Sequence, residues 1–178
     1  MGGWFAVWAC LSPPTDGDAL VRYAHLAVRS AVQKAAPPSA PADLGPILPV
    51  FVTLEVDGVI RGCRGSLVAL TKSLAEEIAG AARSATQHDP RYRPLQAREL
   101  PKLKITVTLV ERLEPIDWPA PLGPEHGLVF RAGDRVGVVL PWEGRDPDTR
   151  RLWAYRKAGV PVGSSGSFWR LIGQRFRG

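Results

Sequence analysis

The chain has 178 residues, 45% hydrophobic and 22% charged, an ordinary globular composition with enough length for a sizeable core in one domain. This excludes a disordered chain, a collagen-like fibre and a polytopic membrane protein, because no run approaches the ~18 apolar residues of a membrane span. The formal charge is +6, and all of the excess lies at the tail end: residues 1–130 carry 13 basic and 13 acidic side chains, residues 131–178 carry 10 and 4. A solvated basic face is the simpler reading of that end; contact with phosphate or nucleic acid is the functional one. Two cysteines exclude a disulfide-dense secreted module and a four-cysteine zinc site, and they point to free thiols in a cytoplasmic protein.

Residues 1–15 read as an apolar N-terminal extension. Gly3 to Leu11 has no basic start and meets Pro13-Pro14 without a small-residue cleavage site, so it is assigned to the mature protein rather than to a signal peptide. Trp4 and Trp8, four positions apart, suit one face of a helix and a covered homodimer surface. Residues 16–178 read as a single domain. A helix is predicted over 16–36, capped by Thr15 or Asp16, with Leu20, Ala24, Ala27, Val28, Ala31 and Val32 on one side. Pro37-Pro38 stops it, and a proline-rich connection follows to residue 49.

Val50 to Val56 and Val59 towards Leu67 read as a hairpin around Asp57-Gly58. A helix at 74–87 starts with Ser73 and Glu76 at capping-box spacing. Residues 88–95 form a stiff polar loop, and apolar alternation from Leu103 to Leu109 predicts a half-buried strand. Residues 111–125 read as a loop, and Leu128–Arg131 with Arg135–Leu140 as a second hairpin. Asp146 and Pro147 open a last helix that Gly159 and Pro161 close. Phe168 to Phe176 reads as a final strand. Hairpin-linked strands with interspersed helices predict an α+β fold around a mainly antiparallel sheet.

The most unusual stretch is Arg61-Gly62-Cys63-Arg64-Gly65-Ser66, at the end of a predicted strand and just before a helix. Glycines disfavour a strand interior, so Gly62 and Gly65 imply a bulge or a backbone that something approaches closely. Two guanidinium groups beside a thiol would favour the thiolate. The opposing reading is a buried, inert cysteine packed as a small hydrophobe. In a regular strand Arg61 and Cys63 share one face and Arg64 takes the other, which leaves both readings open.

The stretch from Phe51 to Leu67 resembles the signature of the AMMECR domain family, named for Alport syndrome, midface hypoplasia and elliptocytosis. Arg61, Gly62, Cys63 and Gly65 match its Arg-Gly-Cys core. Asp89-Pro90-Arg91-Tyr92, the strand at 103–110, His126-Gly127-Leu128, Gly137 to Pro141 and Lys157-Ala158-Gly159 match in family order. The resemblance covers residues 18–176 and implies an α+β domain with a smaller subdomain. It implies a candidate catalytic or ligand-binding surface at the motif without fixing a reaction or a cofactor, and a pathway shared with Memo-type and radical-SAM proteins. Arg64 stands where the family has an apolar residue, Ser66 replaces a threonine, and the stretch after Pro141 departs from the usual Gln-containing continuation.

Within that frame Cys63 and His126 are the candidate catalytic pair, since a Cys–His contact would create a nucleophile; a hydrogen bond from His126 to its own loop is the alternative. Arg61, Gly62, Arg64, Gly65, Ser66 and Arg91 are the candidate ligand residues, for a small anion. Asp89 reads as a loop pin. His25 and His88 read as structural and exposed. No ligand spacing joins the histidines and cysteines, so no metal site is expected. A nucleophilic enzyme and a non-catalytic module binding an anion, nucleic acid or protein remain the two functional classes.

Overall fold

The computed structural model describes residues 16–41 and 43–178; the expected N-terminal extension lies outside them. The first helix, α1 (Gly17–Val32), begins where Asp16 Oδ1 accepts the Ala19 N–H at 3.0 Å. It ends earlier than the sequence predicts: Gln33 caps it, and Lys34 takes a positive φ of 55°. Strands β1 (Val50–Val56) and β2 (Val59–Gly65) form the expected hairpin, with Asp57 and Gly58 at φ 51° and 79°. Helix α2 (Leu74–Gln87) starts on Ser73 Oγ, which accepts the Glu76 N–H. A 3-10 turn at Ala97–Lys102 leads into β3 (Leu103–Ile116).

The chain continues through β4 (Gly127–Ala132), β5 (Arg135–Val139), α3 (Pro147–Ala158) and β6 (Ser167–Arg177). Strand β3 runs to Ile116, into the stretch expected as loop. Its far half passes a bulge at Val110/Arg112 and then pairs with β6, from Arg112 opposite Ile172 to Ile116 opposite Phe168. A partner distant in sequence decides that half, and the local residues do not announce it.

All six strands form one curled antiparallel sheet in the order β2-β1-β3-β6-β4-β5, as the α+β expectation required. Helices α1 and α2 cover one face with Val50, Val52, Leu54, Ile105, Val107 and Leu109, all buried. Helix α3 packs on β4 and β5, where Phe130, Tyr155 and Phe168 meet ring to ring in a second apolar cluster. On the opposite face Phe51, Val110, Val129, Leu140 and Leu171 form a third apolar cluster, and Cys63 packs against it. Among the described residues no helix is long and apolar enough to cross a membrane.

One contact sets how α2 meets β2. A Cβ on Gly62 would lie 2.1 Å from the Ala85 carbonyl oxygen in α2. Gly62→Ala must therefore push helix from strand, and its expected cost is about 2–3 kcal/mol. Urea unfolding checks this; a change below about 0.5 kcal/mol would show that the helix shifts without resistance.

Candidate functional site

Register places Cys63 on the face turned away from α1 and α2. Cys63 lies opposite Thr53, Thr53 opposite Thr106, and Thr106 opposite Arg177, so these four make one row across β2, β1, β3 and β6. Gly65, Phe51, Thr108 and Arg175 make the next row on the same face.

The loop after α2 fixes the cysteine's backbone. Asp89 Oδ2 accepts the Cys63 N–H at 2.9 Å. Arg91 Nη2 donates to the Cys63 carbonyl at 3.0 Å and to Asp89 Oδ2 at 2.7 Å, while its Nε donates to Asp89 Oδ1 at 2.9 Å. The Asp89 side chain is 2% exposed and that of Arg91 48%. Burial alone would raise the Asp89 carboxyl, but the bonds from the Arg91 side chain and from the Cys63 and Arg91 N–H groups outweigh it and hold the group below its ordinary range. The loop pin expected of Asp89 is present, and its target is the Cys63 peptide.

Among the described residues the thiol has one polar contact: Thr53 Oγ1 donates to Cys63 Sγ at 3.2 Å. Burial pushes the thiol's pKa up. The Thr53 bond, Lys157 and Arg91 act against that rise, and Glu143 adds to it. The resting group is a thiol, not the thiolate that two flanking arginines would produce.

The flanking side chains go elsewhere, Arg61 because β2 is bulged and Arg64 because neighbouring residues of a strand face opposite sides. Glu55 pairs with Ile60 and Leu54 with Gly62, which leaves Arg61 as the extra residue. Its Nε donates to Glu99 Oε1 at 2.7 Å in the 3-10 turn, and its Nη2 reaches the Arg93 carbonyl. Arg64 pairs with core-facing Val52 and so emerges on the helix side, lining a cleft with Ser66, Glu76, Gly80 and Ser84. Ser66 Oγ accepts the Val68 N–H at 3.1 Å. The glycines serve the chain's own packing: α2 approaches Gly62, and a Cβ on Gly65 would lie 2.1 Å from the Val50 carbonyl oxygen.

His126 keeps to its own loop. Its Nδ1 accepts the Gly123 N–H at 3.1 Å and lies 3.3 Å from Glu125. Among the described residues it makes no hydrogen bond to Cys63. His25 Nε2 lies 3.4 Å from the Gly178 carbonyl oxygen, and His88 is exposed at the end of α2. No group of three His, Cys, Asp or Glu that could hold a metal occurs among the described residues.

Three residues that the sequence reading did not assign to the site border this face. Glu143 Oε2 accepts the Leu140 N–H at 2.8 Å and the Lys157 Nζ at 2.6 Å. Leu140 belongs to the apolar cluster against which Cys63 packs. Arg175 stands on the same face, one row from Cys63. Lys157 was visible only as part of the Lys-Ala-Gly match, and Glu143 only as part of the stretch that departs from the resemblance. Nothing in their spacing ties them to residue 63.

The fold is a curled antiparallel sheet with helices packed on one face. The AMMECR1 family model matches residues 21–171, and the chain belongs to this family. A protein of Aeropyrum pernix is 36% identical over 162 residues, covering 82% of this chain and 70% of the relative. One of Thermofilum pendens is 33% identical over 171 residues, covering 82% and 79%. The crystal structure of an uncharacterized protein from Pyrococcus horikoshii matches with a TM-score of 0.76 and 26% identity over 90% of both chains.

Proposed function

We propose that this AMMECR1-family protein carries a ligand-binding or catalytic site centred on Cys63, on the sheet face opposite α1 and α2. The observation that supports it best is the clamp: a buried carboxylate and an arginine are both committed to the peptide group of one cysteine, while the thiol itself takes a single hydrogen bond from Thr53. An inert packing cysteine needs no such fixing. Binding has more support than nucleophilic catalysis, because the thiol is neutral at rest and His126 is engaged in its own loop. Of the other candidate residues, Arg91 remains beside Cys63; Arg61 and Ser66 hold β2 and the loop after it, and Arg64 opens onto the cleft on the helix side. In this reading the protein works in the cytoplasm, in one pathway with Memo-type and radical-SAM proteins.

Alkylation by iodoacetamide in a Cys10→Ser background tests the site. The folded protein is expected to label, with a rate that rises through a midpoint above the ordinary thiol value of about 8.5, because burial raises the folded group. Labelling only after denaturant is added would make Cys63 a packing residue and remove the site.

A further inference from the structure

Resting on the Cys63 reading, we propose that Lys157 and Arg175 are the anion-recognising residues of this site, so that its ligand is a small molecule bearing a carboxylate or phosphate group. Arg175, from β6, stands on the thiol's face by register, and Lys157, from α3, reaches the edge of that face through Glu143, which is anchored on Leu140 of the cluster around Cys63. Lys157 is held in place: Glu143 Oε2 takes its Nζ at 2.6 Å and is itself anchored on the Leu140 N–H. The Lys157 and Glu143 side chains are 25% and 20% exposed, so the ammonium is ordered yet reachable. Only one carboxylate oxygen, Oε2, makes these bonds, which leaves Lys157 with donors to spare for a ligand.

Arg175 differs from the other arginines of the two rows and their surroundings. Arg177 is paired with Glu55 at 2.6 Å, and Arg91 with Asp89. Among the described residues no carboxylate lies within ion-pair distance of Arg175. Its surroundings and the neighbouring Arg177 lower its pKa, while Glu55 and Glu143 act against that fall from beyond ion-pair distance. Phe51 and Thr108 lie between Cys63 and Arg175 in the two rows, both buried and uncharged. Strands about 4.8 Å apart place β2 and β6 roughly 14 Å apart, a span that a small anion and a long guanidinium side chain bridge together. The carboxylates of the face, Glu55 and Glu143, are already committed to Arg177 and Lys157, and Lys104, opposite Glu55, is a further cation of the face on the other side of the Cys63 row from Arg175.

The test compares an anionic with a neutral electrophile on the same thiol. Iodoacetate and iodoacetamide both form a carbon–sulfur bond at Cys63 as iodide leaves and the thiol proton goes to solvent, and they differ in one negative charge. In the Cys10→Ser protein, the rate ratio of iodoacetate to iodoacetamide is expected to be about tenfold higher in the folded than in the urea-unfolded chain. Lys157→Gln and Arg175→Gln are each expected to lower it at least threefold, whereas Lys157→Arg, which keeps the charge, retains it. Inorganic phosphate should slow iodoacetate in the folded protein and leave the unfolded chain unaffected. A folded ratio equal to the unfolded one overturns this inference and leaves an accessible Cys63 site standing. A high ratio that survives both glutamine variants overturns the assignment to these residues. Failure of both reagents to label the folded protein removes the site itself.

Discussion

Arg150→Met is expected to destabilise the protein by about 3 kcal/mol, a fall of roughly 6–12 °C in melting temperature. Arg150 lies in the first turns of α3 and is 1% exposed. Its Nη1 donates to the Gly123 carbonyl at 2.6 Å and to the His126 carbonyl at 3.0 Å. Its Nε is buried with no partner, and no carboxylate lies within ion-pair distance among the described residues. A guanidinium taken out of water on two carbonyls has given up much solvation, so those charge-assisted bonds must be strong for the site to persist. Methionine keeps most of the volume and removes the donors, leaving two loop carbonyls short of a partner. Thermal and urea unfolding of the variant measure the loss; an unchanged midpoint would mean that the desolvation of Arg150 cancels its bonds. A Cβ on Gly144 would lie 2.8 Å from Arg150 Cγ, so the same substitution should also loosen the turn that carries Glu143 and lower the iodoacetate preference.

The second large effect is that of Asp89→Ala, with an expected loss of about 3 kcal/mol at pH 7. The value sits at the low end for a broken buried pair because water already reaches Arg91. The folded Asp89 carboxyl lies below its unfolded value of about 3.9. Its contribution is therefore complete above about pH 4 and disappears as pH falls through the lower folded value. Urea unfolding at pH 7, 5 and 3 should show a gap between wild type and variant that is constant over the first two and narrows at the third. A gap independent of pH would show that the side chain's packing, and not its charge, holds the clamp. Released from the clamp, Cys63 should also label faster with iodoacetamide.

The elements legible in the sequence are those with local punctuation. Ser73 marked the start of α2, Asp146 and Gly159 marked both ends of α3, and Asp57-Gly58 marked the hairpin. These signals act within a few residues and need no partner. The far half of β3 depends on pairing with β6, so it read as loop. The site divides the same way. Cys63 and the Asp-Pro-Arg loop could be read because their motifs resemble a family. Arg64 takes the face opposite Cys63, as strand alternation alone requires, but the direction of Arg61 could not be read, because a bulge at Leu54/Glu55 turns it to Glu99. Lys157, Glu143 and Arg175 reach the face only through tertiary packing, and charge alone made them no different from the rest of the basic end.

The Asp89–Arg91 clamp has a bearing on self-association. Strand β2 is one of the two outer strands of the sheet among the described residues, and an unprotected outer strand is a template for a further chain. The Cys63 N–H and C=O point outward from it, and both are already taken by side chains. A seventh strand would have to displace a buried carboxylate and a guanidinium to add here. That protection is ionic, so protonation of Asp89 in acid would uncover an adhesive rim at the place where the thiol is housed.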